Sequence, residues 1–139
     1  LPLFQKAGME TVLGTKMTQF WAPDLDNAAN KKFVGDFRKK YGRYPSFYAA
    51  QSYDSIMYIK SAVEAVSGDI GNIDGMRAAL EKADFDSIRG DFTMGNNHFP
   101  IQNFYERTVV KDADGNWTTA VGRAVLTNHQ DPYASQCKM

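Results

Sequence analysis

The sequence predicts a mixed α/β chain in which helices come first and strands last. Three observations carry this. Phe33, Phe37 and Tyr41 recur every four residues, the spacing of one helix face. Ser46 to Val66 is apolar around nearly its whole helical circumference and stops at Gly68. From Asn103 the pattern changes to alternation through Phe104, Glu106, Thr108 and Val110, the period of a strand. Apolar residues make up 43% and charged residues 23%, the balance of a folded globular chain, which excludes a disordered tail. Sixteen Lys plus Arg balance sixteen Asp plus Glu, so no net field recruits a polyanion, and nucleic acid is not an expected partner. The most apolar stretch, Tyr53 to Val66, is broken by Asp54, Lys60 and Glu64 and falls short of the roughly 18 to 20 uncharged residues of a membrane span.

In chain order, Leu1 to Gly8 is short and apolar, ends in glycine, and reads as the end of a helix; Met9 to Gly14 then suits a strand. Leu1 opens directly into what reads as mid-protein sequence, so further polypeptide is expected upstream. Lys16 to Pro23 has no helical period, carries Phe20 and Trp21 side by side, and ends in a proline that pushes Ala22 toward extended geometry: an extended connector. Asp24 and Asp26 precede the helix of Ala28 to Tyr41, with Lys39 and Lys40 in its last turn and Gly42 as its stop, in line with the macrodipole. Ser46 to Val66 is expected to be a largely buried core helix. Asn72 or Asp74 caps a further helix over Met76 to Ala83. Ile88 to Met94 and Asn103 to Lys111 read as strands, Lys111 to Asn116 as a turn, and Trp117 to Leu126 as the returning strand of a hairpin. From Thr127 the polar tail is expected to be loosely held. The strands at Glu10 to Gly14 and Ile88 to Met94 have no obvious sequence neighbours, and upstream partner strands are expected.

Several motifs are weighed and set aside. Asp112-Ala113-Asp114-Gly115-Asn116 superficially matches a calcium loop, but its closing position holds Arg123 and its glycine comes early, so a hairpin turn is the better reading. His98 and His129 have no Cys, Asp or Glu at ligand spacing, and no metal is expected. No nucleophile elbow or phosphate loop occurs, so no enzyme activity and no cofactor is expected. Arg38, Lys39, Lys40 and Arg43 with Tyr41 and Tyr44 are better read as a solvated helix end than as a nucleic-acid patch. Cys137 is either free or partnered by a cysteine in further sequence. Phe20 and Trp21 remain. In an extended segment their side chains point opposite ways, so one can pack inward while the other faces a cleft.

The order of segments resembles the C-terminal part of type I periplasmic solute-binding proteins of ABC importers, the leucine-isoleucine-valine-binding family. The matching run includes Gly14-Thr15, Trp21-Ala22-Pro23, Asp26-Asn27-Ala28-Ala29-Asn30, Phe37 to Gly42, Pro45, Ala49-Ala50-Gln51-Ser52-Tyr53-Asp54-Ser55 and Ile88-Arg89-Gly90. The resemblance implies a partial, three-crossover clamshell of two α/β lobes. Residues 1–17 would end lobe 2. Residues 18–91 would cross at Thr18 to Pro23 and return helices to lobe 1, and residues 92–126 would cross again at Phe92 to Asn97 and add the last hairpin to lobe 2. Residues 127–139 would be a tail. It further implies a periplasmic, extracytoplasmic protein that binds a small solute by hinge closure and meets a membrane permease, or, as the alternative, a ligand-sensing receptor or regulator domain on the same scaffold. By that placement Phe20, Trp21, Phe47, Tyr48 and Gln51 lie at the cleft as candidate ligand contacts. The start of the helix at Ser46 would suit a carboxylate, and nine Phe, seven Tyr and two Trp tilt the expected ligand toward an aromatic acid over an amino acid. Without the remaining lobe the chain would expose apolar faces and is expected to self-associate.

Overall fold

A computed structural model describes residues 2–138. The chain opens with a short helix α1 (Pro2–Lys6) and a 3-10 turn at Glu10–Val12, then strand β1 (Lys16–Gln19). Three helices follow: α2 (Ala28–Tyr41), α3 (Phe47–Ala65) and α4 (Ile73–Lys82). A two-residue strand β2 (Thr93–Met94) leads to the long hairpin of β3 (Pro100–Lys111) and β4 (Trp117–His129), and a 3-10 turn at Ala134–Gln136 closes the described chain. All pairing is antiparallel and centres on β3, which pairs with β1, with the short β2 and, along most of its length, with β4.

The helix ends follow from local chemistry. Asn27 caps α2 by accepting from the Asn30 N–H at 2.7 Å, and Gly42 ends it at φ 64°, where a side chain would be strained. Ser46 caps α3 through the Ala49 N–H, and Asn72 caps α4 through the Gly75 N–H. The hairpin turn is organised by Asp112, whose Oδ1 accepts from the backbone N–H groups of Asp114 and Asn116, with Gly115 at φ 79°. The Asp112-to-Asn116 segment is therefore a turn, as its sequence reads.

The core lies where α2, the start of α3 and the segment after β1 meet: Trp21, Ala22, Leu25, Phe33, Val34, Ala50 and Ile88 are all buried. Its centre is a polar knot. The buried Asn30 side chain accepts from Trp21 Nε1 at 2.7 Å and donates to the carbonyls of Ala22, Pro23 and Leu25 at 3.1–3.2 Å. One amide thus holds the whole Trp21–Leu25 bend against α2.

Six expectations change. Met9 to Gly14 is not a strand but contains the 3-10 turn, set between Gly8 and Gly14 at φ 63° and 82°. Lys16–Gln19, read as a connector, pairs with Gln19↔Tyr105 through Lys16↔Thr108. Of Ile88 to Met94 only Thr93 and Met94 join a ladder. The Ile88 N–H is taken by Asp54 Oδ1 and its carbonyl by Asn27 Nδ2, which leaves Ile88 no backbone group to offer a neighbouring strand. Of the two strands expected to seek partners upstream, Glu10 to Gly14 forms no strand, and Ile88 to Met94 shortens to Thr93–Met94, which pairs with β3. Helix α3 buries only Ala50, Asp54 and Ala62, while Tyr48, Ile56 and Ile59 are 77%, 64% and 49% exposed. The tail is tied down, since β4 runs through His129, Asn97 Nδ2 donates to Asp131 Oδ2, and Asn96 Nδ2 donates to the carbonyl of the buried Ala134.

Candidate functional site

Phe20 and Trp21 separate as an extended segment requires, but toward different surroundings than a shared ligand site would need. Trp21 is 1% exposed, packed on Phe33 and hydrogen-bonded to Asn30, so its ring is core and offers no face to a solute within this chain. Phe20 turns the other way. Its ring meets Phe47 edge-on with centroids 5.1 Å apart and Phe104 at 6.2 Å, and Phe104 in turn meets His129 at 5.7 Å. Phe47 also packs on Tyr48 at 5.6 Å. An aromatic strip therefore runs from exposed Tyr48 across Phe47 and Phe20 to Phe104 and exposed His129.

Local rules put these rings together. Ser46 starts α3, so Phe47 and Tyr48 occupy its first two helical positions, where backbone N–H groups have no partner inside the helix. Those two N–H groups have none elsewhere among the described residues. The helix dipole adds partial positive charge at the same place, so the strip borders a spot suited to a carboxylate. Gln51, one turn further along α3, is exposed. The structure thus brings Phe20, Phe47 and Tyr48 into contact, leaves Gln51 beside them, and removes Trp21 to the core.

Beneath the strip lies a charged cluster to which sequence reasoning gave no role. Asp54, on α3 and 1% exposed, accepts from Ser87 Oγ at 2.8 Å, from the Ile88 N–H at 3.0 Å and from Arg89 Nε at 2.7 Å. Arg89 Nη1 donates to Oε1 of the buried Gln102 at 3.0 Å, and the guanidinium carbon stands 4.9 Å from the ring centres of both Phe20 and Phe92. A signal was available: Ala50, Asp54 and Ala62 share a helical face, and an acid among buried alanines requires a partner. A second buried cation, Arg107, stands over Trp21 at 5.8 Å and donates to Thr119 Oγ1. Burial lowers its pKa, partly offset by the Asp24 carboxylate.

Two concavities lie elsewhere. One of about 770 Å³ is bordered by α2, α3 and residues 85–93, with Lys32, Tyr53, Phe85 and Phe92 in its wall. One of about 490 Å³ lies between α2 and the hairpin, beside Arg38, Tyr44 and Asp112. Neither is lined by Phe20, Trp21, Phe47, Tyr48 or Gln51, so the strip is separate from both. Arg38 and Arg43 stack on Tyr44 and Phe37, and Lys40 stands over Tyr41, so this basic group lies against the rings of its own helix end. Among the described residues no group of three His, Cys, Asp or Glu side chains could hold a metal ion. No described helix is long and apolar enough to cross a membrane.

Helices returning between short strands to a sheet centred on one long hairpin define part of a two-lobed α/β binding protein. The sequence profile of the periplasmic binding proteins matches residues 2–116, and the chain belongs to that family. Among solved structures it is similar to a solute-binding protein of an ABC transporter from Rhodopseudomonas palustris in complex with benzoate, at 31% identity and a TM-score of 0.81. That match covers 98% of this chain and 36% of the other. A second solute-binding protein, from Rhodopseudomonas palustris BisB5 in complex with 3,4-dihydroxybenzoic acid, matches at 27% identity and a TM-score of 0.76, over 88% of this chain and 33% of that one. The leucine-binding protein LivK of Thermotoga maritima shares the fold at 24% identity and a TM-score of 0.68, over 88% and 34%. The chain thus spans about a third of the length of the structures it matches. No curated protein matches it.

Proposed function

We propose that this chain is the C-terminal part of the extracytoplasmic solute-binding component of an ABC importer, and that the whole protein holds a small carboxylate between two lobes. An aromatic acid fits better than an aliphatic amino acid. The observation that carries this reading is the strip of Tyr48, Phe47 and Phe20 beside the unpartnered N–H groups that open α3: rings to stack a flat solute next to donors for its carboxylate. The benzoate and dihydroxybenzoate complexes of the similar proteins point the same way. Closure of the second lobe over the strip would bury it, and the solute's differential affinity for the closed form would drive that movement and present the form a permease recognises. A micromolar complex needs only about 8 kcal/mol, within reach of one stacked ring and a few hydrogen bonds.

Thermal unfolding of the full-length protein with benzoate, 4-hydroxybenzoate and leucine tests this. The aromatic acids are expected to raise the midpoint, since a ligand held only by the native state stabilises by mass action. Stabilisation by leucine alone would remove the aromatic preference, and no response to any carboxylate would remove the binding role.

A further inference from the structure

We infer that Arg89 is a positioning residue: clamped by Asp54 and Gln102, it fixes the orientation of the Phe20 ring and thereby the preference of the strip for flat solutes. This rests on the proposed solute-binding role, which it refines by assigning discrimination to a residue that need not touch the solute.

The clamp is complete on the acceptor side first. Asp54 cannot turn, because Ser87 Oγ, the Ile88 N–H and Arg89 Nε all donate to it within 3.0 Å, in a site that is 1% exposed. Gln102 Oε1, on β3, fixes a second corner of the guanidinium through Nη1. The plane of Arg89 is therefore set by two different elements, and its side chain is only 13% exposed. Phe20 and Phe92 each place a ring centre 4.9 Å from the guanidinium carbon. Phe20 is left with Arg89 against its ring and with Phe47 and Phe104 meeting it at interplanar angles of 63° and 87°. Rotation of Phe20 about χ1 would break all three contacts together.

A simple ion pair would not need arginine. Lysine could neutralise Asp54, but its ammonium has no plane to stack on rings and no fork to reach Gln102 at the same time. The geometry uses the features in which the two cations differ, which points to a positioning role beyond charge neutralisation.

The test is Arg89→Lys in the full-length protein, read in two ways. Because the ammonium retains the Asp54 pair, the unfolding midpoint is expected to fall by no more than about 4 °C. The ratio of benzoate to leucine affinity is expected to fall about tenfold, the scale of one well-placed aromatic contact. Independently, 4-fluorophenylalanine placed at position 20 is expected to give one sharp fluorine resonance in the parent protein and a shifted, broadened one in Arg89→Lys. Gln102→Leu, which keeps the Asp54 pair and removes one corner of the clamp, is expected to move both readouts in the same direction by less, and it serves if the lysine variant folds poorly. An unchanged affinity ratio with an unchanged fluorine line overturns the inference. If the parent protein binds no aromatic acid, the functional reading fails by itself. The fluorine line then decides whether Arg89 orients Phe20, and an unchanged line overturns that too.

Discussion

Phe20 and Trp21 are neighbours in sequence and opposites in setting. Trp21 belongs to a knot in which every polar atom has a designated partner: its indole N–H meets Asn30, and the same amide satisfies three carbonyls of the bend that follows. Phe20 belongs to a strip in which rings touch rings, both ends are open to solvent, and buried side-chain hydrogen bonds lie in the charged cluster underneath. The contrast separates two tasks. A buried polar knot specifies one geometry, because any slip strands several groups at once. An aromatic strip is adaptable and leaves area for a solute.

Breaking the knot should cost most. Asn30→Ala orphans the indole N–H and the Pro23 carbonyl and leaves the Ala22 and Leu25 carbonyls only their backbone donors, and a loss of about 4 kcal/mol is expected in chemical denaturation. A loss below about 1 kcal/mol would mean that the bend holds itself. Asp54→Asn removes the charge that compensates Arg89 in a buried site, with an expected loss of about 3 kcal/mol. The denaturation midpoint measures this, and it should also loosen Phe20. Trp21→Phe keeps an aromatic ring but forfeits the N–H bond and leaves a gap where the larger indole packed, for about 2 kcal/mol. On the strip the pattern should invert. Tyr48→Ala, at a side chain 77% exposed, should change stability by less than about 0.5 kcal/mol while weakening solute binding in calorimetry of the full-length protein. Loss of stability without loss of binding would reverse the assignment of the two regions.

The smallest effects concern pH at the far end of α2. Burial first, and then the hydrogen bond to Asp112, raise the Tyr44 phenol above its ordinary value of 10.0. Its folded form holds the proton more tightly than the unfolded chain does, so its contribution is full below about pH 10 and is lost as pH rises through the raised value. At Asp112 desolvation pushes upward but is outweighed by donors from Asn116, Tyr44 and Asp114, so its pKa lies below the ordinary 3.8. That contribution is present above about pH 4 and is lost as the solution is acidified further. Tyr44→Phe should flatten the alkaline limb of a stability profile and Asp112→Asn the acid limb. An unchanged limb in either variant would show that this tie contributes nothing.

Much of the local structure could be read from residue types alone. The phenylalanine spacing of α2, its Gly42 stop, the Ser46 start of α3 and the turn at Asp112 are decided within a few residues by backbone sterics and capping, and they stand where the sequence places them. The aromatic strip was half legible, since Phe20, Phe47 and Tyr48 were named as candidates, but nothing local told which of Phe20 and Trp21 would face inward. That choice depends on Asn30, nine residues from Trp21, offering an acceptor to an indole and not to a phenyl ring. The strand expected over Ile88 to Met94 failed because a carboxylate 34 residues away takes the Ile88 N–H.

The sequence by itself determined the helices, their caps, the hairpin and the balanced charge, since each rests on interactions between near neighbours. Only the tertiary structure decided the partners of the short strands, the burial of Trp21 and the clamp of Asp54 and Gln102 on Arg89. Those depend on groups far apart in the chain, whose meeting is fixed by shared burial and by the need of every enclosed polar atom for a partner.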